Sequence, residues 1–232
     1  MSNPTDLGEI VVNGQRRPNG SSSPFPSLPS PGVVLPTPEI IKDPNGGGGP
    51  SPCSVPARKR EWNMDATAAS AVSAFLADAL SAGEANLEFR ERGAYILRNP
   101  DGTYSLGPIA RGSTFGPAGS SEQPITSLEP ALVGDRSRIV GVIHNHNVGQ
   151  HLPSAPSGTY PGDQGGMQTL QNIMNTYSTG SGSKARMYII AKAADGSYKI
   201  SVYSPTTIQY DENGNPPPIG PEVNPNAQNC PA

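Results

Sequence analysis

The sequence predicts an α/β (α+β) domain built on a single mixed β-sheet with flanking helices. Two observations carry this. Patterns of helix, hairpin, strand, helix and hairpin follow one another along the middle of the chain, an order that packs helices on one sheet. The 27 prolines are also unevenly placed: residues 1–60 hold 12 and residues 205–232 hold 7, so the breakers flank a central domain instead of interrupting it.

The first sixty residues contain SSSPFPSLPSPG and PTPEIIKDPNGGGGPSP. Such text buries too little apolar surface to offset chain entropy, so residues 1–62 are expected to be a disordered Pro/Gly/Ser-rich linker. Within it, Glu9-Ile10-Val11-Val12-Asn13-Gly14 reads as a short strand, a docking peptide or a few apolar residues in an arm. Arg58-Lys59-Arg60 reads as the solvated end of the linker. Residues 63–208 form the expected domain, and residues 209–232 (beginning QYDENGNPPPIG) an expected disordered tail.

The domain opens with a helix. Val72, Phe75, Leu76, Ala79 and Leu80 recur at spacings of three and four; Asp65 can cap its start and Gly83 its end. Residues 89–97 (FRERGAYIL) read as a strand, Asn99-Pro100-Asp101-Gly102 as a turn, and residues 103–106 as the returning arm. Residues 109–132 are polar and loop-like. Residues 138–143 (RIVGVI) are apolar on both faces, which suits a central strand. Met167, Leu170, Ile173, Met174 and Tyr177 mark a second helix over 163–177. Residues 185–191 and 198–203 form a last hairpin around Asp195-Gly196.

Composition excludes several classes. No run approaches the ~18 apolar residues of a spanning helix, so no membrane association is expected. The net charge of −3 gives no broad basic face for nucleic acid. Residues 1–9 have neither a basic cluster nor an apolar stretch, so no secretory signal peptide is expected. The two cysteines, Cys53 and Cys230, lie in opposite flanks and can pair in an oxidising compartment.

All three histidines fall within residues 144–151. His144 and His146 end the apolar strand, and residues two apart on a strand share a face. Both imidazoles can therefore meet one metal ion. Asp163 opens the next helix and adds a carboxylate. Two His and one carboxylate with an open fourth position make a catalytic zinc arrangement. The triplet His144-Asn145-His146 is not read as an HNH nuclease, whose three residues are spread along a different motif.

A strand with Glu-x-Gly, followed by strand, His-x-His, loop, Asp and helix, resembles the JAB/JAMM (MPN) metalloprotease family. The stretches ERGAYILRNPDGTYSLGP, GVIHNHN and YPGD are similar to JAB-like domains attached to RHS-repeat and other polymorphic bacterial toxins. The resemblance covers roughly residues 65–205. It implies a JAB/MPN, cytidine deaminase-like architecture and a zinc ion on His144, His146 and Asp163. It implies Glu91 as general base, and hydrolysis of an amide or isopeptide bond in a protein or peptide substrate. It also implies a toxin or delivered effector, with an immunity protein or secretion partner. Glu88 competes with Glu91, but residues three apart face opposite sides of a strand, and Gly93 favours Glu91. Three positions before Asp163, where the family has Ser, stands Tyr160; its hydroxyl is the candidate oxyanion donor, with Ser154, Ser157 or Thr159 as substitutes if the loop folds back. The loop is longer than in the family pattern and carries His151, either an exposed residue or an extra ligand or substrate contact. The alternative function is a non-catalytic JAB-like binding module tethered to a carrier or secretion system.

Overall fold

The computed structural model describes residues 10–13, 51–114, 125–146, 149–156, 161–178 and 180–230. Strands β1 (Ile10–Asn13), β2 (Arg90–Arg98), β3 (Tyr104–Leu106), β4 (Ala110–Thr114), β5 (Ile125–Leu128), β6 (Ile139–Asn145), β7 (Arg186–Lys192) and β8 (Tyr198–Tyr203) accompany helices α1 (Pro56–Ser81) and α2 (Gly162–Tyr177). The main sheet runs β3-β2-β6-β7-β8, with β4 also on β2. Only the β6–β7 pairing is parallel; the rest are antiparallel. The sheet is therefore mixed, as the sequence predicts, and β6 is central and buried along its whole length.

The two helices cover opposite faces. On one, Met64, Ala68, Ala71, Phe75 and Ala79 of α1 are buried at helical spacing. Small side chains let α1 sit close, and Gly141 of β6 completes the fit. A Cβ there would lie 3.0 Å from the Arg186 carbonyl oxygen and 3.2 Å from the Met64 Cε. On the other face, α2 buries Met167, Leu170, Ile173 and Met174. β1 and β5 form a separate antiparallel pair, and β1 packs against α2.

Several expectations need correction. α1 begins at Pro56, so residues 51–62 are a short 3-10 turn and two helical turns, not linker. Proline suits the first helical turn because its missing N–H would have no partner there. Asp65 is thus not a cap: it lies inside α1 and accepts a hydrogen bond from the Tyr188 hydroxyl at 2.9 Å. Leu80, expected on the apolar face, is 66% exposed. Gly83 does end the helix, at φ +77°. Its N–H meets the Leu80 carbonyl and the Glu84 N–H the Ala79 carbonyl, which satisfies two of the helix's last acceptors. Residues 109–132, expected to be loop, contribute β4 and β5. The rest of the expected linker, apart from β1, lies outside the described residues. No described helix is long and apolar enough to cross a membrane.

The tail also differs from expectation. Residues 209–230 are docked on the domain. The Val223 N–H bonds the Ile200 carbonyl and the Val202 N–H the Pro221 carbonyl, so the tail lies along the outer edge of β8. The Trp62 indole donates to the Gln228 carbonyl, and the Cys230 N–H to Asn63 Oδ1. Cys53 and Cys230 are joined in a disulfide with a Cα–Cα separation of 5.4 Å.

Two predictions follow from these contacts. The disulfide closes a loop of sequence separation 177, and constraining so long a loop in the unfolded chain is worth roughly 2–5 kcal/mol. Reduction, or Cys230→Ser, is expected to lower Tm by on the order of 10 °C in thermal melts. Burial raises the Asp65 carboxyl to about 6, opposed by the Tyr188 hydrogen bond. A folded-state value above the unfolded one favours folding fully below pH 4, and this is lost as pH rises through 6. Asp65→Asn should therefore match the parent at pH 4 and be more stable at pH 7, by about 1–2 kcal/mol after allowing for partial exposure; denaturation at the two pH values checks this.

Candidate metal centre

The centre forms where β6 ends and α2 begins. The His146 N–H donates to the Ile190 carbonyl at 2.8 Å, which keeps the chain extended one residue past β6. His144 and His146 consequently leave the same face. Their Nε2 atoms are 2.9 Å apart, and both residues are buried. The carbonyl of Gln150 lies 3.1 Å from His146 Nδ1. A proton on Nδ1 donates to that carbonyl and leaves the Nε2 lone pair facing the centre, the usual arrangement of a metal-binding imidazole.

Asp163 enters from α2, in the first turn, where the helix dipole favours a carboxylate. It has no exposed surface. Its Oδ1 is 3.3 Å from His144 Nε2 and its Oδ2 3.2 Å from His146 Nε2. Ser154 holds it in place: the Ser154 N–H donates to Oδ2 at 2.7 Å, and the Asp163 N–H donates to Ser154 Oγ at 3.1 Å. The tight approach depends on Gly162, which has φ +62°; a Cβ on it would lie 2.6 Å from the Ser154 carbonyl oxygen.

The charge state follows from burial. Burial pushes the His144 imidazole below its usual value, against the pull of Asp163. Burial alone would raise the Asp163 carboxyl, but the two imidazoles outweigh it and hold the group well below the ordinary carboxylate range. An ionised Asp163 carboxylate and neutral imidazoles are the forms in which these residues bind a metal.

The residues fit such an ion. Metal–ligand bonds of about 2.0–2.1 Å in a tetrahedron put ligand atoms roughly 3.3 Å apart; here the two Nε2 atoms are 2.9 Å apart, and each lies 3.2–3.3 Å from its own oxygen of Asp163. Asp163 Oδ1 is buried without a hydrogen-bond donor among the described residues. A cation between the three side chains satisfies it and accounts for two imidazole nitrogens facing each other. His144, His146 and Asp163 are also the group of described residues able to hold a metal.

No family model, curated protein or solved structure matches the chain.

The other expected site residues divide. In the β2–β6 register Gly93 lies opposite His144. Glu91, two residues earlier, is on the same face, and it is fully buried. Its neighbours Arg90 and Arg92 turn to the α1 side. There Arg92, fully buried, binds Asp78 at 2.9 Å and also Glu84, while Arg90 binds Glu84 at 2.7 Å. Glu91 is thus buried on the face away from those ion pairs. Glu88 is occupied elsewhere, with Lys192 at 3.0 Å and the Tyr198 hydroxyl at 2.6 Å. His151 is half-buried and stands outside the ligand group; its carbonyl accepts from the Tyr203 hydroxyl. Tyr160, Ser157 and Thr159 lie outside the described residues.

Sequence reasoning missed the supporting residues. Ser154 was expected as a substitute oxyanion donor, yet it orients Asp163. Gln150 and Asn145 carried no pattern, since their roles depend on how the chain folds back. The close approach at Gly162 yields a direct prediction. Gly162→Ala should weaken divalent-metal binding at this site by tenfold or more, about the loss expected when a ligand's support is disturbed, while leaving far-UV circular dichroism unchanged; competition with a chromophoric chelator measures it.

Proposed function

We propose that the protein is a zinc-dependent metallopeptidase or isopeptidase of JAB/JAMM type that hydrolyses an amide bond in a protein or peptide. The observation that carries this is the grouping of His144, His146 and Asp163; Glu91, buried on the neighbouring strand two residues before the partner of His144, is on the matching face. Two imidazoles and one carboxylate suit zinc, and three protein ligands leave a position open, as catalytic sites require. Zinc bound there lowers the pKa of a coordinated water and polarises a carbonyl.

The chain's own residues supply the rest. Glu91 takes a proton on the attacking side and returns it to the leaving amine. The burial of His144, Asp163 and Glu91 excludes bulk water and strengthens each electrostatic contact. Tyr160 is the hydroxyl that the resemblance puts near the oxyanion. The mixed sheet with a helix on each face agrees with the JAB/MPN architecture. Toxin or effector character, with an immunity or secretion partner, rests on the resemblance. The Cys53–Cys230 bond supports passage through an oxidising compartment.

A second reading, a tethered binding module without catalysis, is favoured by one observation. Ser154 is anchored to Asp163 through its own N–H and its Oγ, and Tyr160 stands where the family has Ser.

The purified protein is expected to carry one equivalent of zinc by elemental analysis, and His146→Ala to lose it. Glu91→Gln should keep the zinc and lose turnover on a peptide library by about 100-fold or more. Protein free of bound zinc would end the metallopeptidase reading; zinc without any Glu91-dependent turnover would leave the binding module.

A further inference from the structure

We propose that Asn145 is the positioning residue for Glu91: its side-chain amide, in place of the sheet's own ladder, fixes the backbone on both sides of that carboxylate. This rests on the metallopeptidase reading, in which Glu91 must face the ion.

The β2–β6 pairing begins at Gly93 opposite His144. Upstream of Gly93, β2 keeps its outer pairing with β4 while its inner edge has left β6. The outer pairing is itself irregular: Arg90 lies opposite Thr114 and Arg92 opposite Arg111, so two steps along β2 match three along β4. The extra residue is on β4, so β4 bends there while β2 keeps its own alternation, with Glu91 between Arg90 and Arg92. On the inner side the β2–β6 ladder has no pair before Gly93 among the described residues, so the Arg90–Arg92 backbone runs beside Asn145 without ladder bonds to β6.

A gap in a sheet leaves backbone groups without partners, and buried ones need them. Asn145 supplies them. Its Oδ1 accepts from the Arg92 N–H at 2.7 Å. Its Nδ2 donates to the Leu87 carbonyl at 2.8 Å and to the Arg90 carbonyl at 3.1 Å. Arg90 and Arg92 flank Glu91, so one amide holds both adjacent peptides. Asn145 is 1% exposed, and it lies between the two His ligands in sequence. The residue that sets the Glu91 backbone therefore shares a strand end with the imidazoles, and the distance from base to ligands is fixed through one short side chain.

The chemistry restricts what can stand there. The position needs one acceptor and two donors. Asp keeps the acceptor but turns a carboxylate oxygen towards two carbonyls. Gln keeps donors and acceptor but lengthens the arm by one methylene.

The test uses full-length protein loaded with cobalt(II), whose visible absorption reports the ligand field. Glu91→Gln is expected to shift the visible band. Asn145→Gln should retain one equivalent of cobalt, reproduce that shift, and give no further change when combined with Glu91→Gln. Asn145→Asp should do the same, because its carboxylate repels the Leu87 and Arg90 carbonyls, and the displaced side chain should let the Arg92 amide exchange faster by roughly tenfold or more. A fastener of the sheet alone would alter exchange without moving the band. The proposal is overturned if both Asn145 variants keep the parental spectrum, or if their effect adds in full to that of Glu91→Gln. It is also overturned if Glu91→Gln leaves the band unmoved, since Glu91 then does not face the ion. Failure of the parent protein to bind cobalt would instead remove the metal reading itself, and this proposal with it.

Discussion

A carboxylate with no exposed surface has to be compensated, and Asp163 is such a group. An isolated buried charge is too costly to persist. The surrounding structure is arranged to keep it ionised. The central strand ends at two imidazoles, the 151–156 segment folds back to offer the Ser154 N–H, and the start of α2 aims its dipole at the same point. That segment is held in turn from outside. Tyr203 donates to the His151 carbonyl and Tyr210 to the Pro153 carbonyl. The C-terminal part of the chain thereby acts on the centre through two phenol hydroxyls that donate to backbone carbonyls.

The opposite face shows the same constraint with protein partners alone. Arg92 is buried, and its guanidinium is shared by Asp78 and Glu84, with Arg111 also on Asp78 at 2.7 Å. These neighbours hold both carboxyls below their ordinary values despite some desolvation at each. Buried ion networks add less to stability than their number suggests, because each charge has been desolvated. Here the network fastens β2 and β4 to the end of α1, directly behind Glu91. A strand that has left its inner neighbour needs such backing.

The parts of the fold legible in the sequence are those governed by short periods. β2, β6, β7, β8 and α2 stand close to where alternation and helical spacing put them, and β6 is central as its apolar run implies. His144, His146 and Asp163 were legible for the same reason: each follows from its place at an element's end. What escaped was set by distant contacts. β4 is largely exposed and has no apolar alternation to announce it. The first turns of α1 are charged and open on Pro56, text that resembles linker. The docking of the tail relies on backbone hydrogen bonds and a few buried residues such as Val223, which no composition rule detects. Ser154 and Asn145 act across a loop and across a gap between strands, and neither relation has a sequence period.

The Cys53–Cys230 bond also has a mechanical meaning. The chain enters and leaves this region at two α-carbons 5.4 Å apart. Tension between the two outer flanks runs through the sulfur–sulfur bond and bypasses the main sheet; N-terminal to Cys53 it first peels β1 from β5 and α2. A machine that unravels proteins by pulling on an end would extract a closed ring, not a thread, until a thiol opens it.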